Sequence, residues 1–162
     1  MQSALLQEYL STPAIQVAVV TPGLITLGWL ARAAWRRDID PTLVWAWMAC
    51  LFISYFSSRW HVDGDLHELY IIPAFLLFTA AWLYCGRAIS PAAAFALTFL
   101  ADWTIDMKRG YELALTGAFP VSSFYHGVGG AGAGDGLFFF PLVAAFLVVY
   151  VKCRQSPASW GR

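Results

Sequence analysis

The feature that most constrains this fold is a series of apolar runs separated by short polar segments. Five runs can be drawn, at approximately residues 13–35, 41–58, 69–86, 91–107 and 136–151. Each has roughly the length that a helix needs to cross the hydrocarbon core of a bilayer. A helix satisfies its own backbone in lipid, and the sequence lacks the alternation of a membrane β-barrel. The sequence therefore predicts an all-α, polytopic membrane protein, a bundle of about five transmembrane helices.

The composition supports one integral-membrane domain over residues 1–162. Hydrophobic residues make up 59% of the chain and charged residues only 12%, whereas soluble domains are about a quarter charged. The formal net charge is zero and no basic stripe is visible, which argues against a nucleic-acid partner. Glu8 and the absence of Lys or Arg from residues 1–10 are unlike a cleavable signal peptide, so the first span is expected to remain as an anchor.

The basic residues indicate an orientation, because segments on the cytoplasmic side of a membrane carry an excess of Lys and Arg. We expect the N-terminus outside and the C-terminus inside, in a plasma or inner membrane. The inner side then receives Arg32, Arg36, Arg37, Arg87, Lys152, Arg154 and Arg162. The outer side receives Arg59, Lys108 and Arg109, together with most of the acids. The outer face is predicted to be acidic and to include a long loop, residues 108–135.

Capping side chains mark the predicted helix starts. Three of them precede a proline at the first helical position, namely Thr12, Asp40 and Ser90, where the missing N–H of proline costs nothing. Residues 65–68 have capping-box spacing before the third span, and Asp135 can cap the fifth.

Glycines and one proline mark the predicted ends and irregularities. Gly86 and Gly110 follow the third and fourth spans and are expected to stop them. Pro22 and Gly23 lie inside the first span, which predicts either a kink or a break that separates a shorter interfacial piece.

Residues 59–70 concentrate polar chemistry between the second and third runs. His61, Asp63, Asp65 and His67 would share one face of an extended chain, whereas only Asp63 and His67 would share a face of a helix. Imidazole and carboxylate are ligands for zinc and other divalent cations. The alternative is an ordinary acidic loop with helix-capping acids, since no established ligand spacing such as HExxH is present.

His126 is the third histidine of the chain and lies in the long outer loop. If that loop folds over the bundle, His61, His67 and His126 can form a three-histidine site for zinc or another divalent cation, with an acid as the base. Ser123, His126 and Asp135 do not form a convincing triad, because the sequence has no nucleophile elbow. Haem is not expected either, since no histidine lies in the middle of a span.

Asp102 and Asp106 are the most unusual acids. They are four residues apart, so they lie on one face of the fourth helix, and Asp102 lies more than a turn inside the apolar run. A carboxyl group there costs a few kcal/mol and is a functional-site hypothesis by default. Such a group must be either protonated or paired with a cation, and two neighbouring carboxyls can divide the roles of acid and base. The alternative is a packing role, with Asp102 satisfied by a nearby Arg, Trp or Tyr.

Two short stretches resemble known membrane-protein families. Gly132-Ala133-Gly134-Asp135 resembles the motif of the GxGD intramembrane aspartyl proteases. That resemblance implies a catalytic Asp135 and a second catalytic aspartate on the preceding helix, at Asp102 or Asp106. Asp63-Gly64-Asp65-Leu66-His67, followed by Tyr70, is similar to a segment of VanZ-like membrane proteins, which also places this polar segment on the outer side.

These features favour a membrane-embedded hydrolase, acting on a peptide or on a lipid or envelope precursor. Its His/Asp centre would lie at the outer interface, with Asp102, Asp106 and Asp135 as catalytic residues. The alternative is a non-enzymatic membrane protein: an oligomeric pore, a transporter subunit or a structural subunit of a membrane complex. The hydrolase predicts that the histidines and aspartates converge within ligand distance in one protomer, whereas the pore predicts that Asp102 and Asp106 line an axis between protomers. The expected partners are the lipid bilayer, a lipid or membrane-peptide substrate, and either a second copy of the chain or a larger complex.

Overall fold

Five helices make up most of the described part of the chain. The computed structural model describes residues 13–36, 40–63, 66–117 and 135–155. The helices are α1 (Thr21–Arg36), α2 (Pro41–Ser57), α3 (Ala74–Tyr84), α4 (Pro91–Leu115) and α5 (Gly136–Gln155). Two strands, β1 (Arg59–Asp63) and β2 (Leu66–Tyr70), form an antiparallel hairpin between α2 and α3. The mostly helical fold is confirmed, and the five helices follow the five apolar runs in order.

Among the described residues, two helical segments are long and apolar enough to cross a membrane, Gln16–Arg36 and Gly136–Gln155. The 17 residues of α2 and the 11 residues of α3 reach about 26 Å and 16 Å at a rise of about 1.5 Å per residue. The hydrocarbon core of a bilayer is about 30 Å thick. α4 has 25 residues, but its second half carries several charged residues.

The start of the third predicted span is wrong, because residues 66–70 form a strand. α3 begins only at Ala74, after Pro73, and no side chain caps it, so the capping-box assignment for residues 65–68 is also wrong. Asp63 pairs with Leu66, which leaves the two-residue sequence Gly-Asp as the connection between the strands. Such a connection between extended runs is a hairpin signal; the two connecting residues lie outside the described part.

The irregularity of the first helix precedes Pro22 rather than dividing the helix there. A helical turn, Pro13–Ile15, leads into a π-helical segment, Gln16–Val20, and then directly into α1. A proline inside a helix clashes with the carbonyl group four residues earlier and has no N–H to donate to it. The wider π turn accommodates this defect, and the hydroxyl of Thr21 donates a 2.8 Å hydrogen bond to the carbonyl oxygen of Gln16.

Three predicted caps are confirmed. The side chain of Asp40 accepts from the N–H of Thr42 at 2.8 Å, and that of Asp135 accepts from Leu137 at 2.9 Å. The hydroxyl of Ser90 accepts from Ala93 at 3.0 Å. Thr12, the remaining predicted cap, lies outside the described residues.

The two predicted glycine stops have different outcomes. Gly86 follows α3 with a φ of 71°, which is the left-handed conformation that favours glycine at a helix end. Gly110 does not end a helix; α4 continues through it to Leu115, and Gly117, with a φ of 82°, follows instead. The predicted fourth span is therefore extended by about two turns.

α4 is the central helix of the bundle and packs against α1, α2, α3 and α5. All seven residues from 93 to 99 are buried, so this half of α4 is enclosed on every side. Small side chains allow the close approach, and the buried alanines are Ala93, Ala94, Ala96 and Ala101 on α4 and Ala144 on α5.

Cross-helix contacts define the helix directions. The indole N–H of Trp47, near the start of α2, donates to the carbonyl oxygen of Leu97 at 3.1 Å, and Tyr55, near its end, bonds to Glu112. α2 and α4 are therefore parallel. Leu137, at the start of α5, belongs to a cluster with Trp103 in the second half of α4, so α5 is antiparallel to α4. We call the end that carries the hairpin, the end of α4 and the start of α5 the hairpin end.

Candidate functional site

Asp102 is a buried carboxyl group near the middle of the central helix, α4. Its relative exposure is 3%. Both carboxyl oxygens are buried and have no hydrogen-bond partner among the described residues. The preceding turns of α4 are apolar and enclosed by the other helices, so a residue on this face enters the interior of the bundle. Leaving such a group without a partner costs free energy, and that cost marks Asp102 as the residue that most needs a functional explanation.

Asp106 and Asp135 lie close enough to Asp102 to act on it electrostatically. Asp106 is one turn later on the same face of α4 and is half-buried. Asp135 precedes α5, and its negative charge acts on both Asp102 and Asp106. The packing of the start of α5 against the second half of α4 therefore brings the three predicted catalytic aspartates together. We call Asp102, Asp106 and Asp135 the acidic cluster.

The nearby basic residues of α4 are occupied elsewhere. Lys108 Nζ lies 3.2 Å from Glu112 Oε1, and Arg109 Nη1 lies 3.0 Å from Glu112 Oε2. Arg109 Nη2 also donates to the carbonyl oxygen of Ser58 at 3.3 Å. Within the described residues, both cations make their ion pairs with Glu112 rather than with Asp102 or Asp106. The packing alternative, in which an arginine neutralises Asp102, therefore finds no support in these contacts.

Glu112 is the centre of a second polar group, which joins α2 to α4. The hydroxyl of Tyr55 donates a 2.7 Å hydrogen bond to Glu112 Oε1, and the cations of Lys108 and Arg109 lie 4.8 Å and 5.2 Å from the centre of the Tyr55 ring. Burial opposes ionisation of Glu112, but the hydrogen bonds from Tyr55, Arg109 and Lys108 outweigh it and lower the pKa of this carboxyl. Glu112 is therefore held as an anion.

The hairpin gives His61 and His67 different positions from those predicted. His61 is paired with Glu68, and His67 with Val62. Adjacent cross-strand pairs point to opposite faces of a sheet, so the two histidine positions lie on opposite faces of the hairpin. His61, Asp63, Asp65 and His67 would share one face only in a continuous strand. The chain instead reverses direction between Asp63 and Leu66, which pair with each other. The ring of His61 instead lies edge-on to Tyr70, with centroids 6.2 Å apart.

The predicted metal set is only partly within the described structure. Among the residues whose side chains are placed, no group of three His, Cys, Asp or Glu could hold a metal ion. Asp65 and His126 lie outside the described residues, and so do the side chains of Asp63 and His67. Ser123 and the first three residues of the GxGD stretch lie outside them as well. The zinc or divalent-cation site therefore stays a prediction.

The sequence analysis missed Tyr55 and Glu112. The spacing of Lys108 and Arg109 to Glu112, four and three residues along a helix, is the spacing of intrahelical ion pairs. These ion pairs could have been predicted from the sequence, but only if α4 had been expected to continue beyond Gly110. The contribution of Tyr55 depends on the parallel packing of α2 and α4 and has no local sequence signal.

Comparisons with protein-family models, with curated proteins and with solved structures gave no match to this chain.

Proposed function

We propose that the chain is a membrane-embedded hydrolase whose acidic cluster activates water at the hairpin end of a helical bundle. The observation that carries this proposal is Asp102: a buried carboxyl with no partner among the described residues, in a group of three acids from two helices. The resemblance of residues 132–135 to the GxGD proteases supports the same assignment, because it implies a catalytic pair made of Asp135 and an aspartate on the preceding helix.

We further propose that all five helices lie in the membrane, with the hairpin end outside. The outward surface supports this arrangement, since large apolar side chains are exposed on all five helices, including Leu115 at the end of α4. They include Leu24 and Leu27 on α1, Trp45 and Phe52 on α2, Leu77 on α3, and Phe139 and Phe146 on α5. An apolar perimeter around a helix that buries Thr98 and Asp102 suits a lipid solvent better than water.

α3 can contribute a crossing although its helix is short. The non-helical residues Ile71, Ile72 and Pro73 precede it and turn tightly into it, since the N–H of Ala74 donates to the carbonyl oxygen of Ile72 at 2.7 Å. Non-helical backbone is tolerated at membrane depth where protein groups satisfy it. Ser54 of α2 supplies such a group, because its hydroxyl bonds to the carbonyl oxygen of Ile72.

The chemistry requires one protonated and one ionised carboxyl. Burial without a counter-charge favours the uncharged form of Asp102, which suits it as the general acid. The ionised carboxyl, Asp106 or Asp135, takes a proton from water as the water oxygen adds to the carbonyl or phosphoryl centre of the substrate. The bond to the leaving group then breaks, and the leaving atom receives the proton of Asp102. One water is consumed, and proton exchange between the carboxyls restores the site.

The proposal is tested by hydrolysis in water enriched in oxygen-18. Protein in phospholipid vesicles is incubated with synthetic single-span peptides and, separately, with polyprenyl-phosphate-linked lipids, and products are identified by mass spectrometry. Hydrolysis places oxygen-18 in the new carboxyl or phosphate group. Asp102→Asn should yield no labelled product, and of Asp106→Asn and Asp135→Asn the one that removes the base should do the same. The proposal fails if the native protein hydrolyses neither class, or if all three variants retain the native rate.

The pore alternative is less well supported by the geometry. A pore between protomers requires Asp102 and Asp106 on an outward face, but Asp102 is buried by helices of its own chain. The electrostatic effect of Asp106 and Asp135 on Asp102 within one protomer supports the hydrolase, and the convergence of the histidines with these acids stays a prediction.

A further inference from the structure

Arg109 lies on the same face of α4 as two members of the acidic cluster. It follows Asp102 by seven residues and Asp106 by three, which are spacings that place side chains on one side of a helix. From this position an arginine can pair with Asp106 one turn before it or with Glu112 one turn after it. In the structure its Nη1 donates to Glu112, and its Nη2 donates to the carbonyl oxygen of Ser58.

Several contacts stabilise the pairing of Glu112 with Arg109. One of its oxygens accepts from Arg109, and the other accepts from the Tyr55 hydroxyl and lies 3.2 Å from Lys108 Nζ. The Tyr55 ring lies against both cations. Among the described residues, the charged and titratable groups that contact Arg109 are thus Glu112 on α4 and Tyr55 from α2, with Lys108 beside Glu112, and Asp106 lies one turn before Arg109 on the same helix face.

We infer that Glu112 is a positioning residue that holds the Arg109 guanidinium away from the acidic cluster. This inference rests on the proposed function, because it concerns the protonation of the same carboxyls. A guanidinium in contact with a carboxyl favours the ionised form of that carboxyl. If Arg109 turned toward Asp106, its positive charge would also lie closer to Asp102, one turn before Asp106 on the same face, and would deplete the protonated form of Asp102 that hydrolysis requires. Glu112 therefore preserves the acid form without touching the substrate.

The test follows the carbonyl stretch of protonated carboxylic acids by infrared difference spectroscopy across pH, in protein reconstituted in vesicles. The band lost in Asp102→Asn reports on the cluster. In Glu112→Gln we expect the midpoint of that band to move to lower pH by about one unit or more. The double variant Glu112→Gln with Arg109→Gln should return the midpoint to the native value, because the released cation is gone.

Arg109→Gln alone is the matched control, and it should leave the native midpoint unchanged. An unchanged midpoint in folded Glu112→Gln would overturn the inference, and so would a shifted midpoint in Arg109→Gln. If Glu112→Gln does not fold, Arg109→Gln still decides whether the guanidinium acts on the cluster in the native protein. These readouts do not need turnover, so an absence of hydrolysis would defeat the proposed function without deciding this inference.

Discussion

The hydroxyl of Ser54 on α2 donates a 2.7 Å hydrogen bond to the carbonyl oxygen of Ile72, in the extended segment that leads into α3. The same Ser54 oxygen lies 3.4 Å from the amide nitrogen of Ala74, the first residue of α3. Ser54 is fully buried, so no water replaces this contact in the native protein.

Ser54→Ala should therefore destabilise the protein by about 0.5–1.5 kcal/mol, the net contribution of one hydrogen bond, because the carbonyl oxygen of Ile72 still accepts from the N–H of Ala74 at 2.7 Å. Ser57→Ala is the matched control, because the Ser57 hydroxyl bonds only within its own helix, to Ile53 and Ser54, and its removal should change stability by a few tenths of a kcal/mol. Thermal or denaturant unfolding in detergent measures both. Equal effects of the two substitutions would contradict the bridging role of Ser54.

Asp102→Asn should abolish hydrolysis while the fold and the unfolding temperature are retained or improved. The substitution removes an unpartnered buried acid and keeps its shape, so stability has little to lose, whereas the proton donor disappears. The measurement combines the oxygen-18 assay with a melting curve. Asp40→Asn provides the control, since asparagine still caps α2 at the opposite end of the bundle. A fully active and more heat-stable Asp102→Asn would make Asp102 a packing residue.

The proposed membrane orientation can be tested by labelling cysteines that the chain already contains. Cys85 and Cys153 are exposed and free. Cys85 directly follows α3, and Cys153 lies near the end of α5, so both lie on the side opposite the hairpin end. A membrane-impermeant thiol reagent applied to intact cells should leave the native protein unlabelled.

Thr116→Cys should then become labelled, because Thr116 is exposed just after α4 at the hairpin end. Disruption of the membrane should expose Cys85 and Cys153 to the reagent in the same preparation. The opposite orientation would be indicated if the native protein were labelled in intact cells. In that case Thr116→Cys, in a variant whose Cys85 and Cys153 are replaced by serine, should remain unlabelled.

Hydrolysis should survive dialysis against a strong chelator, because the three carboxyls of the acidic cluster can supply both acid and base. Loss of activity on chelation, with recovery on adding zinc, would instead assign the reaction to the predicted metal site. His61→Ala and His126→Ala would then lose metal and activity together, and elemental analysis of the purified variants would measure the loss. Retention of metal should also fall below about pH 6, because imidazole must be neutral to act as a ligand.

Local sequence signals predicted the helix order and several helix ends. Asp40, Ser90 and Asp135 cap helices as expected, since a cap depends only on the residues of its own first turn. The grouping of Asp135 with Asp102 and Asp106 followed from the alternation of helix directions. That part of the site could be predicted from the amino-acid sequence alone.

The errors occurred where two patterns competed. Residues 65–68 fit a capping box, but cross-strand pairing of Arg59–Asp63 with Leu66–Tyr70 determined the backbone. Gly110 resembled a helix stop, yet the ion pairs of Glu112 lie beyond it and α4 continues. The role of Tyr55 depends on which face of α2 packs against α4. Helix packing of this kind has no signal in the neighbouring sequence.

The π-helical segment, Gln16–Val20, has a consequence for how this chain tolerates insertions and deletions. A π turn holds one residue more than an α turn, so losing one residue there would keep the residues on both sides in register, at the cost of restoring the clash of Pro22 with the carbonyl group four residues earlier. A deletion within α1 would instead rotate all preceding residues by about 100° relative to α4, and buried positions such as Ile15 and Ala18 would turn outward. A one-residue deletion should therefore disturb helix packing less in this segment than in the sixteen residues that follow it.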